Sequence, residues 1–145
     1  MILPDVNVIV YAYKREEELQ PQYADWLNDV AVGGEALGLV DVVLTGFLRI
    51  VTNPRVYAEP APLSDALSFA AALRAAGPAR AVHATGAAWE QFAVFAEADR
   101  LLRGNLVPDA WLAAIAVTSG ARIATADAGF SRFQGLDWFD PASPR

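Results

Sequence analysis

Four aspartates stand where short apolar segments give way to other structure. Asp5 follows Ile2-Leu3-Pro4, Asp41 follows Ala36-Leu37-Gly38-Leu39-Val40, and Asp127 comes shortly after Ile123-Ala124-Thr125. Asp109 opens an apolar helical pattern after Gly104-Asn105-Leu106-Val107-Pro108. If the apolar segments are parallel strands, acids at their carboxyl ends converge on one rim although they lie far apart in the chain. Gathered carboxylates repel and resist ionisation unless a cation sits among them. Oxygen donors alone suit a hard, partly hydrated divalent ion such as Mg²⁺ or Mn²⁺.

Composition narrows the alternatives. The 145 residues contain no cysteine and one histidine, His83, which excludes disulfides, thiolate metal sites, a cysteine nucleophile and any site needing two imidazoles. The formal net charge of −6 argues against nucleic-acid binding by bulk basicity, though not against an acidic site that cations neutralise. Each aspartate also has a structural reading: Asp41 as a helix N-cap, Asp109 as a first-turn acid, Asp127 as a turn residue. Asp5 is harder to explain that way, because a carboxylate between an apolar strand and an apolar helix needs a partner. His83, at a strand end, reads as a packed or capping residue rather than a catalyst.

The elements that must position these acids alternate. Strands are expected at 2–4, 36–40, 81–83 and 123–125, with a last edge strand near 136–138. Helical patterns are expected through Val8–Ala12, Tyr23–Val30, Val43–Val51, Ser64–Ala76, a segment capped by Thr85, and Asp109–Ser119. Pro4 suits a central strand only at its end. The expected fold is a single α/β domain over residues 1–145, three-layered, with a mostly parallel sheet of four to five strands flanked by helices. The opening residues lack the basic region of a signal peptide and no apolar run spans a bilayer, so a cytoplasmic protein without membrane association is expected.

Four segments resemble a known family. Pro4-Asp5-Val6-Asn7-Val8-Ile9-Val10-Tyr11-Ala12 resembles the opening motif of PIN-domain ribonucleases, in particular VapC-type toxins of bacterial toxin–antitoxin pairs. Phe47-Leu48-Arg49-Ile50-Val51-Thr52-Asn53-Pro54-Arg55 resembles the segment after the second strand, and Asn105 to Ala116 the third-acid helix. Thr125-Ala126-Asp127-Ala128-Gly129-Phe130 with Phe133 resembles the fourth-acid loop. The four occur in family order across nearly the whole chain.

The resemblance implies an endoribonuclease dependent on Mg²⁺ or Mn²⁺, which activates a water for attack on a phosphodiester. It makes Asp5 and Asp109 metal ligands, with Asp127 supporting that metal or a second one, and Asn7 and Thr125 fixing the site by hydrogen bonds. Many members carry a glutamate where this chain has Gly46. Asp41 is the nearest acid, but five helical residues leave it about 140° from that face, so it substitutes only from the strand end. Arg49, Arg55, Arg103, Lys14 and Arg15 are candidates for gripping RNA phosphates. Implied partners are a cognate VapB-type antitoxin, an RNA substrate and a second copy of the chain. Trp26, Trp89, Trp111 and Trp138 are expected to pack against the sheet, with one or two, or Tyr11 and Tyr13, lining an antitoxin groove. The alternative is a non-catalytic PIN-like module that binds RNA or a partner. A dehalogenase-like phosphatase or a receiver domain fits poorly, since Asn7 stands where the former needs a second acid and Lys14 is the chain's one lysine.

Overall fold

The computed structural model describes residues 1–143, so the last two positions of the expected domain lie outside the described residues. Strands β1 (Ile2–Pro4), β2 (Leu37–Val40), β3 (Ala79–Val82), β4 (Arg122–Ala124) and β5 (Trp138–Phe139) form one five-stranded sheet in the order β3-β2-β1-β4-β5. Every pairing is parallel. Six helices connect and flank it: α1 (Val6–Tyr13), α2 (Gln20–Val32), α3 (Asp41–Val51), α4 (Leu63–Arg74), α5 (Gly86–Ala98) and α6 (Leu106–Ser119). No helix among the described residues is long and apolar enough to cross a membrane.

The strand order reverses at β1, which is where an open parallel sheet leaves a crevice beyond its strand ends. Pro4 helps to open it. Ile2 donates its N–H to Ala36 beside β2, whereas Asp5 donates to Ala124 of β4 at 2.8 Å. Since successive N–H groups alternate sides, the donor that Pro4 lacks is one that would face β2. Accordingly the β1–β2 register is confined to Ile2 opposite Leu37, while β1 and β4 stay paired through Pro4 opposite Ala124.

Boundaries shift by a few residues from the sequence expectations, for local reasons. β3 begins and ends earlier than expected, paired residue for residue with β2 from Ala79 to Val82. Thr85 does occupy the N-cap position of α5, but its side chain makes no capping hydrogen bond. Helix α6 starts at Leu106 rather than at Asp109. Pro108 falls in its first turn, where a missing N–H loses no helical bond. It ends at Gly120, whose φ of 66° is the left-handed cap that favours glycine.

Packing explains two unusual residues. Gly38 lies in buried β2, where an added Cβ would clash with Leu3 Cδ2 and stand 3.0 Å from Val82 Cγ2 and 3.1 Å from Met1 Sδ. Lys14, just past α1, is buried with 7% exposure. Its ammonium donates to the Glu59 carbonyl at 2.9 Å, pairs with Glu16 at 2.9 Å, and sits 4.4 Å from the centre of the Tyr57 ring. It therefore ties the loop between α3 and α4 to the end of α1, and its expected phosphate-gripping role is corrected. Gly38→Ala should lower the unfolding free energy by about 1–3 kcal/mol, the usual range for overpacking a core. Urea melts that leave the midpoint unchanged would contradict this account of the strand.

Candidate active site

The crevice holds a cleft of about 530 Å³ whose lining includes Asp5, Asn7, Asp109 and Asp127. Three separate elements deliver the acids: Asp5 from the end of β1, Asp109 from the first turn of α6, and Asp127 from the residues after β4.

Asp5 is the most constrained. It is 7% exposed, and both of its oxygens are engaged. Oδ1 accepts the Val6 N–H at 2.7 Å as the cap of α1, and Oδ2 accepts the Thr125 hydroxyl at 2.8 Å. Thr125 is fully buried, and its oxygen in turn accepts from Asn7 Nδ2 at 3.3 Å and from the Asp127 N–H at 3.0 Å. One donated and two accepted bonds use the full capacity of a hydroxyl. Asn7 Oδ1 also accepts the Ala126 N–H at 3.2 Å, fastening α1 to the segment after β4. Asp127 accepts the Gly129 N–H at 2.7 Å and caps the short 3₁₀ turn Ala128–Arg132.

These environments set the charges. Burial pushes the Asp5 carboxyl above its ordinary range, and Asp127 pushes in the same direction, while the bonds from Thr125, Val6 and Asn7 oppose both. Asp109 is pushed up to about 6, first by burial and then by repulsion from Asp5 and Asp127, with Arg132 pulling the other way. The Asp109 carboxylate accepts no hydrogen bond and joins no ion pair among the described residues, and Arg132 is engaged at 3.3 Å with Asp99. The acids thus repel one another without a paired cation of the protein. Among the described residues, however, no three histidine or carboxylate groups form a ready-made cage for a metal. Oxygen donors that are few and mutually repelling fit a hydrated divalent ion, which typically takes one or two carboxylates and fills its shell with water and substrate phosphate.

The remaining candidates divide. Arg49 reaches the cleft from the last turn of α3. Arg55 and Arg103 are exposed and stand outside its lining, as does Arg15. Asp41 is not brought to the cleft. It begins α3, with Val40 at the N-cap, and lines a separate, smaller cavity with Arg74 and Arg80. Its two successors, Val42 and Val43, line the cleft instead. Gly46 packs toward α1, where a Cβ would stand 3.0 Å from Val6 Cγ2. His83 is exposed and sits in another cavity, beside Thr118 and Ser119.

Sequence reading missed Glu17, Asn105 and Tyr57 in the cleft lining. Asn105 lay in a quoted motif, but nothing in the local pattern marked Glu17 or Tyr57. The aromatics also part company. Tyr11 lines the cleft, whereas Tyr13 packs on Phe47 and Phe69. Trp26 lies against Phe139 of β5, but Trp89 is 63% exposed and meets Trp111 with ring centres 4.4 Å apart.

Comparison with known proteins agrees with this architecture. Residues 2–136 match the PIN domain family. Ribonuclease VapC43 of Mycobacterium tuberculosis is 40% identical over 141 residues, covering 97% of this chain and 95% of the relative. Ribonuclease VapC33 of the same organism is 33% identical over 150 residues, covering 97% and 98%. Among solved structures, VapBC-1 of nontypeable Haemophilus influenzae aligns with a TM-score of 0.70 at 16% identity, over 99% of this chain and 100% of that one. VapBC2 of Rickettsia felis, bound to a DNA fragment, aligns with a TM-score of 0.68 at 16% identity, over 97% and 98%. Structural likeness at such low identity speaks for the fold, and the sequence relatives speak for kinship. The chain belongs to the PIN-domain family, among its VapC-type members.

Proposed function

We propose that the protein is an endoribonuclease, dependent on Mg²⁺ or Mn²⁺, that acts as the toxin of a toxin–antitoxin pair. The observation that carries this reading is the meeting of Asp5, Asp109 and Asp127 in one cleft, with Asp109 pushed up to about 6 and no basic side chain paired to it. VapC relatives named as ribonucleases support the reaction class.

In this reading Asp109 and Asp5 hold the cation, and Asp127 lies beside them as a further donor. A divalent ion so held supplies an acidified water and neutralises charge on the phosphate oxygens. Thr125 and Asn7 keep the Asp5 carboxylate from rotating, which matters because a ligand displaced by an ångström loses much of its effect. Arg49 lies where it can grip a phosphate of the bound strand. A VapB-type antitoxin and a second copy of the chain are the proposed partners. The exposed aromatic patch of Trp89 with half-buried Phe92 and Trp111 supports a covering partner in general terms.

Purified protein incubated with structured RNA should cut it with Mg²⁺ or Mn²⁺ and not with EDTA. Asp109→Asn should abolish cutting while leaving the fold intact. Thr125→Val should reduce it about 10- to 100-fold, the usual loss when a group that orients a metal ligand is removed. RNA binding by the wild type without cleavage in any metal would instead favour the non-catalytic module.

The weakened acidity of Asp109 gives a second test. Its folded value, about 6, lies above the ordinary 3.8, so the folded state binds the proton more tightly. Stability contributed by the protonated form should therefore be lost as pH rises from about 4 through 6. Without metal, the wild-type Tm should fall across that window more than that of Asp109→Asn. At pH 7.5 added Mg²⁺ should raise the wild-type Tm and leave the variant's unchanged. Parallel thermal melts of the two proteins, with and without metal, check both statements.

A further inference from the structure

The cleft is longer than an acidic centre alone requires. Asp5, Val6, Asn7, Val10 and Tyr11 present one face of α1 to it, and Glu17 continues the lining past the end of that helix. From Asp5 to Tyr11 the lining rises about 9 Å along the helix, and Glu17, beyond its end, borders the same cleft. Tyr11 lies between the two regions: its phenol is pushed up by burial, then by Glu17 and by Asp5 and Asp127.

The far region differs in chemistry from the acidic one. Around Glu17 and its partner Tyr57 the cleft lining includes Tyr11, Ile50 and Val56, the last 54% exposed, together with Arg49. Apolar and aromatic walls of this kind take the face of an unstacked base. Glu17 supplies a carboxylate that has no ion-pair partner among the described residues. The Tyr57 hydroxyl, itself 2.7 Å away, donates to Glu17 Oε1 and fixes its direction, while Oε2 receives no donor from the described residues. Tyr57 is in turn pinned by the Lys14 ammonium against its ring.

A carboxylate only accepts hydrogen bonds, through about four lone-pair directions. Among the four bases, guanine alone offers two donors side by side on its Watson–Crick edge, N1–H and the N2 amine. Adenine and cytosine set one amine beside a ring acceptor that would face the second oxygen, and uracil flanks one N–H with two carbonyls. We propose, building on the ribonuclease reading, that this part of the cleft is a guanine-reading subsite. Glu17 accepts the two donors, Tyr57 positions Glu17, and Tyr11 and Val56 border the base.

Binding of mononucleotides tests the subsite without needing cleavage. In amide NMR titrations of the wild-type protein in EDTA, 5′-GMP should shift signals around Tyr11, Glu17 and Tyr57. It should bind about tenfold tighter than 5′-IMP, which lacks the N2 amine, and than 5′-AMP. Glu17→Gln should erase that preference, and Tyr57→Phe, which keeps the ring, should weaken it. Equal binding of 5′-GMP, 5′-IMP and 5′-AMP by the wild type would overturn the proposal, whether or not either variant folds. Sequencing the ends left on a mixed RNA pool separates this idea from the one beneath it. Cleavage with no preferred guanosine near the cut, unchanged in Glu17→Gln, removes the subsite and leaves the nuclease standing. Guanine-selective binding in a protein that cuts no RNA removes the nuclease and leaves the subsite.

Discussion

The hydrogen bond from Thr125 to Asp5 is the constraint on which the site depends. A carboxylate with 7% exposure is tolerated only because both oxygens find donors, one from the helix it caps and one from across the sheet. Thr125 belongs to the segment that carries Asp127, so the bond that satisfies Asp5 also fixes where the neighbouring acid can stand. Remove it and a buried oxygen loses its donor, while the segment after β4 keeps only its bonds with Asn7 as ties to α1.

The same economy recurs at the strand end. Pro4 cannot donate toward β2, so β1 ends its pairing on that side early and stays attached to β4. The sheet therefore parts on one flank of Asp5 while the other flank remains closed. Asp109 arrives from a different helix, is half-buried, and lacks the donors that Asp5 enjoys. Its acidity is consequently displaced by surroundings rather than by any bond, which is the behaviour of a group poised for a charged visitor.

Much of this was legible from residue order. The aspartates at strand ends, together with the alternation of apolar segments and amphipathic runs, imply a parallel sheet and a shared rim for Asp5 and Asp127. Asp109 could be placed because a proline-containing turn precedes an unbroken apolar helix. Asp41 misled because position at a strand end does not fix side-chain direction: α3 begins at that residue itself, and the valines after it face the cleft. Arg55 and Arg103 sat in or near the right motifs but on exposed loops. Glu17 and Tyr57 were invisible, since their meeting depends on a loop folded back over forty residues, and no local pattern reports such a contact.

The loop's fastening has a further meaning. Lys14 is the chain's one lysine, and its amine is sheltered between a carbonyl, a carboxylate and an aromatic face. Acylating enzymes, amine-reactive dyes and conjugation machinery that targets lysine therefore meet no accessible side-chain amine on the folded molecule. Any control of the protein exerted through its lysine must wait for the contact between α1 and that loop to come undone.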